Sequence, residues 1–119
     1  MGKRVLIVDD SMYIRKLIKD TLESAGYNVV GEAENGEVAI EKAFELNPDL
    51  ITLDNILPDM IGIDILKVIM EEENHPKIVM ISAVGQQSVI DQGMELGASD
   101  YIVKPFTPED LIRVMDKVA

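Results

Sequence analysis

The chain has 119 residues, 47% of them hydrophobic, and no cysteine. It can therefore bury one core, is too apolar to be disordered, and holds neither disulfides nor thiolate metal sites. Its 22 acidic residues against 11 basic, a net charge of −11, argue against a phosphate-backbone partner, so no direct nucleic-acid binding is expected.

Met1-Gly2-Lys3-Arg4 leads straight into an apolar run, leaving no room for a signal-peptide core. That first run, Val5 to Val8, is short and rich in Val and Ile, and it ends in Asp9-Asp10. Ile14, Leu17, Ile18, Leu22 and Ala25 then recur at helical spacing, with Gly26 as a C-terminal stop. A second short strand is expected at Val29-Val30, followed by a helix carrying Val38, Ala39, Ala43 and Leu46 between Asn35-Gly36 and Asn47-Pro48. The third strand, Leu50 to Leu53, ends in Asp54, and a helix runs from Gly62 through Leu66, Ile69 and Met70. The fourth strand, Ile78 to Ile81, ends at Ser82, and a helix spanning about 86–96 is interrupted by Gly93 and stopped by Gly97. The fifth strand, Tyr101 to Val103, ends in Lys104-Pro105 before a last helix with Pro108 in its first turn. No apolar run approaches the ~18 residues of a membrane helix, so a cytoplasmic domain without membrane insertion is expected.

Strand and helix alternate five times. That pattern predicts an α/β fold over residues 1–119: one domain, a doubly wound five-stranded parallel sheet with helices on both faces and right-handed crossovers. Polar groups in such a sheet gather at the carboxyl ends of the strands. Asp9, Asp10, Asp54, Ser82 and Lys104 all fall there. Three carboxylates facing one ammonium repel one another unless a cation joins them, which reads as a divalent-metal site containing a reactive aspartate.

These residues also match a family. Val8-Asp9-Asp10, Leu53-Asp54 with Leu57-Pro58 and Met60 to Gly62, Ser82-Ala83 and Lys104-Pro105-Phe106 resemble, in order and spacing, the receiver domain of two-component response regulators. Among these, the single-domain chemotaxis regulators of the CheY type are the most similar, since nothing follows the last helix. The resemblance implies the flavodoxin-like strand order 2-1-3-4-5 and a cis peptide at Lys104-Pro105.

Asp54 is then the expected phosphoryl acceptor, because a carboxylate oxygen can attack a phosphoramidate and form an acyl phosphate. Asp9 and Asp10 are expected to hold Mg²⁺, with Mn²⁺ as an alternative ion, since hard cations take oxygen ligands. By resemblance Asp10 and Asp54 ligate directly, Asp9 acts through water and the main-chain carbonyl of Ile56 supplies a further oxygen. Lys104 and Ser82 are expected to meet the phosphoryl oxygens, and Ser82 and Tyr101 to switch the face formed by the fourth helix, fifth strand and fifth helix. The implied partners are a histidine kinase as phosphodonor, a target protein such as a flagellar or archaellar motor or adaptor, and a phosphatase. The domain is expected to be a monomer and a regulator rather than an enzyme, assisting only its own phosphorylation and dephosphorylation.

Blander readings stand beside these. Asp10 can be the N-cap of the following helix, Lys104 a solvated lysine, Ser82 a serine bonded to backbone and Tyr101 a static rim residue. His75 reads as a solvated loop residue, and Arg15, Lys16 and Lys19 as a solvated basic face or a docking site for an acidic kinase surface. Ile61 stands where the family usually has a small polar residue, which leaves the third helix without an obvious cap. Ile56 and Val84 are apolar beside the expected path of water, and are expected to slow hydrolysis of the acyl phosphate. An aspartyl-nucleophile phosphohydrolase would need an acid where Ile56 stands. A flavin phosphate would be repelled by Asp9-Asp10. The remaining alternative is the receiver portion of a longer transcriptional regulator.

Overall fold

The computed structural model describes residues 2–119, so Met1, where the signal-peptide reading began, lies outside the described residues. Five strands alternate with five helices: β1 (Arg4–Val8), α1 (Met12–Ser24), β2 (Asn28–Ala33), α2 (Gly36–Leu46), β3 (Leu50–Asp54), α3 (Gly62–Met70), β4 (Lys77–Ala83), α4 (Gln87–Glu95), β5 (Asp100–Lys104) and α5 (Pro108–Val118). Every pairing is parallel and the sheet order is β2-β1-β3-β4-β5. Strand order reverses beside β1, so the loops leaving β1 and β3 diverge to opposite faces and open a crevice between Asp9 and Asp54.

Period-two alternation divides the core. Leu6, Val8, Ile51, Leu53, Ile78 and Met80 face α2, α3 and α4, whereas Val5, Ile7, Leu50, Val79 and Ile81 face α1 and α5. The inner strand β3 is buried at every position. Two-sided burial does not extend to the edges, because β2 and β5 each lack one neighbour and are only partly buried. β2 also runs well beyond Val29-Val30: pairing with β1 recruits Asn28, Gly31 and Glu32, which no apolar pattern marks. Its ladder skips Val30, passing from Val5 opposite Val29 to Leu6 opposite Gly31.

Local chemistry sets the helix ends. Ser11, not Asp10, caps α1, its hydroxyl accepting from the Ile14 N–H, so the alternative role for Asp10 is excluded. Gly26 follows α1 at φ +93°, a left-handed turn open to glycine. Thr107 and Asp110 form a reciprocal capping box at α5, with Pro108 in the first turn. Ile61 precedes α3 and provides no side-chain cap, as its apolar character predicted. No helix among the described residues is long and apolar enough to cross a membrane.

Candidate functional site

At the carboxyl edge of the sheet, β1 stops at Val8 but the ladder continues one bond further, as the Asp9 N–H donates to the Ala33 carbonyl at 3.1 Å. Asp9 is thereby drawn into the interior and is fully buried, while Asp10 projects outward and is exposed. A fully buried carboxylate needs partners, and Asp9 has them: Oδ1 accepts from the Ser11 N–H at 2.9 Å and Oδ2 accepts from Lys104 Nζ at 3.1 Å. Asp54 ends β3, is buried, and lies 3.5 Å from the same ammonium through Oδ1. One carboxylate oxygen from each of Asp9, Asp10 and Asp54 falls within 4.8 Å of the others. The four charged strand-end residues singled out in the sequence therefore share one pocket, and the Lys104–Pro105 peptide is cis.

Burial, reinforced by the Asp9 carboxylate, pushes the Asp54 carboxyl up to about 6 against the opposing pull of Lys104. Burial works the other way on Lys104, but Asp9 and Asp54 outweigh it and hold the ammonium above its ordinary value. Three carboxylates against one ammonium leave a formal charge of −2, and all the side-chain donors among the carboxylates are hard oxygens. This donor set suits a hard divalent cation such as Mg²⁺, and softer ligands are absent from the cluster.

Ser82 lies one residue beyond Ile81, the ladder partner of Asp54. Its hydroxyl is buried and has no hydrogen-bond partner, so the reading of a serine satisfied by backbone does not hold. A buried hydroxyl left in that condition costs free energy that an acceptor brought within its reach would recover. Ile56 turns its side chain outward and bridges to Ile61 across the loop after Asp54. Val84 is also exposed, in the loop after β4. Tyr101 sits part-exposed on the edge strand β5, opposite Met80. His75 is an exposed loop residue whose ring Nδ1 lies 3.1 Å from the Pro76 carbonyl oxygen.

The sequence reading passed over Asp59 and Asn55 and placed Arg15 on a different surface. Arg15 is not part of a solvated basic face: its side chain is 12% exposed and pairs with Glu32, while Lys16 pairs on the surface with Asp20. The signal was present, because Ser11, Arg15, Ile18 and Leu22 follow one helical stripe. Asp59 accepts from the Gly36 and Glu37 N–H groups at 2.7 and 3.0 Å, tying the loop after Asp54 to the start of α2. Both amides hold its carboxyl below the usual range. Nothing local marks that contact, which spans 23 residues. Asn55 is buried with its side-chain oxygen unpartnered, a position the apolar pattern of β3 would assign to Val or Ile.

Comparison with known proteins agrees with this geometry. The family model described as the response regulator receiver domain matches residues 5–116. The chain is 48% identical over 119 residues to the chemotaxis protein CheY of Thermotoga maritima, covering 100% of this chain and 99% of that one. It is 45% identical over 117 residues to CheY of Bacillus subtilis, covering 98% of each. Among solved structures, a CheX–CheY–BeF3–Mg²⁺ complex from Borrelia burgdorferi superposes with a TM-score of 0.92 at 35% identity, over 98% of this chain and 88% of that one.

Proposed function

The chain belongs to the response regulator receiver domain family, and from that premise we propose that it is a phosphorylation-activated switch acting in chemotaxis or motility. The observation that carries this reading is the single pocket in which Asp54 meets two further aspartates and a lysine, with the unpartnered Ser82 hydroxyl one residue beyond the β4 ladder partner of Asp54. Full-length similarity to chemotaxis proteins supports the motility assignment.

In the proposed reaction an Asp54 oxygen attacks the phosphorus of a phosphohistidine on a kinase. The new P–O bond forms as the P–N bond breaks, and the imidazole nitrogen keeps the electron pair. Transfer of this kind depends on positioning and charge more than on covalent work by the protein. Lys104, already 3.5 Å from Asp54, would pair with a phosphoryl oxygen, and the Ser82 hydroxyl would donate to another. Asp9, Asp10, Asp54 and the Ile56 carbonyl would hold Mg²⁺, or Mn²⁺ in its place. When bound, the ion would neutralise charge on the transferred group.

The phosphoryl group adds roughly −1.5 to −2 charges, and Ser82 and Lys104 can respond only by moving toward them. Displacement of Ser82 and the loop after it would free space for the Tyr101 ring, reshaping the face of α4, β5 and α5. Partners would be a histidine kinase, a flagellar or archaellar motor or adaptor protein, and a phosphatase. Receiver domains form a regulatory family, and the chain would act as a cytoplasmic monomer that assists only its own phosphorylation and dephosphorylation.

The deciding experiment is incubation with acetyl phosphate and Mg²⁺, followed by intact-mass measurement of the parent and of Asp54→Ala. One added phosphoryl mass in the parent alone is expected. No addition in the parent would sink the reading, and addition in both would move the acceptor elsewhere. Turnover of a small phosphate ester would instead favour a phosphohydrolase.

A further inference from the structure

The part-buried guanidinium of Arg15 reaches the main chain beside the acidic pocket. Arg15 follows the cap Ser11 by one helical turn, and its own N–H bonds to the Ser11 carbonyl at 3.0 Å. Its Nη1 donates to the main-chain carbonyl of Asp9 at 2.7 Å, and its Nε donates to Glu32 Oε1, on β2, at 3.1 Å. That carbonyl belongs to the peptide joining Asp9 to Asp10.

With this bond every polar group of Asp9 is engaged: its N–H on Ala33, its carboxylate oxygens by Ser11 and Lys104, and its carbonyl by Arg15. Asp10 is different, since it is exposed and no hydrogen bond from the described residues holds its carboxylate. Its direction is inherited from the peptide before it. A planar peptide has no internal freedom, so fixing its carbonyl oxygen fixes the direction in which the Asp10 backbone departs.

We infer that Arg15, oriented by Glu32, is a positioning residue that locks the Asp9–Asp10 peptide and thereby aims Asp10 into the cluster with Asp9 and Asp54. The inference rests on the metal-site reading above. A charge-assisted bond from a planar fork already held by a carboxylate restrains direction as well as distance, which a lysine at the same place would not do. Residues that orient metal ligands are commonly worth 10- to 100-fold in affinity.

Charge alone makes the opposite prediction, which gives the test its sign. Arg15→Ala removes a cation from the neighbourhood of a cation site, so simple Coulomb repulsion predicts tighter Mg²⁺ binding. Loss of positioning predicts weaker binding. The measurement is calorimetric titration of the unphosphorylated full chain with MgCl₂ for the parent, Arg15→Ala, Arg15→Lys and the buried control Ile18→Val.

Arg15→Ala is expected to weaken binding roughly 10- to 100-fold, Arg15→Lys to weaken it less, and Ile18→Val to leave it unchanged. Equal or tighter binding by Arg15→Ala overturns the inference, as does an equal loss in Ile18→Val. Should Arg15→Ala fail to fold, Arg15→Lys decides, because it keeps the charge and loses the fork. An affinity matching the parent's would then overturn the inference. Absence of Mg²⁺ binding in the parent itself would remove the metal site and the inference with it, whereas normal binding in parent and variants alike would remove the inference only.

Discussion

Asp54 is held between opposing influences, and the balance has a measurable sign. Its carboxyl is raised to about 6 by burial and by Asp9, so between roughly pH 4 and 6 the native state binds a proton that the unfolded chain has already released. Without divalent cation, this group's contribution to stability therefore falls as pH rises through that window and levels off above it. Denaturant unfolding of the parent in chelator is expected to show this decline relative to Asp54→Asn across the same range. A difference between the two proteins that is flat, or rises with pH, would contradict the assignment. A second prediction concerns Ile56 and Val84, both exposed in loops that follow the site strands β3 and β4. If they restrict water at the acyl phosphate, Ile56→Asn combined with Val84→Glu should hasten loss of the phosphoryl group. Mass-monitored decay after removal of acetyl phosphate reads this directly, and an unchanged rate would remove the shielding role.

At the scale of elements, the pocket depends on how closely α3 approaches the end of β3. Gly62 opens α3, its N–H donates to the Asn55 carbonyl at 2.5 Å, and a Cβ built there would lie 2.7 Å from the Asp54 carbonyl oxygen and 2.9 Å from the Asn55 Cα. Those neighbours are backbone and cannot rotate away as a side chain could. Gly62→Ala should therefore cost about 1–3 kcal/mol despite alanine's better helix propensity, because overpacking outweighs a propensity gain of at most ~1 kcal/mol. Thermal or denaturant unfolding measures this, and a variant as stable as the parent would show that the loop yields freely. Asp59 acts on the same segment from outside, pinning the loop after Asp54 to the start of α2. Asp54 is thus braced from two helices on one face of the sheet, while Lys104 and Asp9 reach it from β5 and β1.

For the whole molecule, the dominant fact is an acidic pocket on an acidic protein of net charge −11. Folding assembles Asp9, Asp10 and Asp54 against their mutual repulsion with one ammonium in compensation, so a cation that binds only the folded state should stabilise it. At a Mg²⁺ concentration a hundredfold above its dissociation constant the expected gain is about 2.7 kcal/mol. It should appear as a rise in melting temperature that Asp10→Ala greatly reduces. No shift in the parent would count against the metal site. The sequence alone determined the alternation of elements, the parallel sheet and the identity of Asp9, Asp10, Asp54, Ser82 and Lys104 as strand-end groups, because buried parallel strands must be apolar and a charge ending one is conspicuous. Resemblance to a family supplied the strand order, which the sheet then showed. Only the tertiary structure decided what depended on partners distant in the chain. The extent of β2 came from its pairing with β1, the tie of Asp59 to α2 from a contact across 23 residues, and the burial of Arg15 from Glu32 and the Asp9 carbonyl. A basic residue on a helix reads as solvated until the fold places a carbonyl and a carboxylate within reach of its guanidinium.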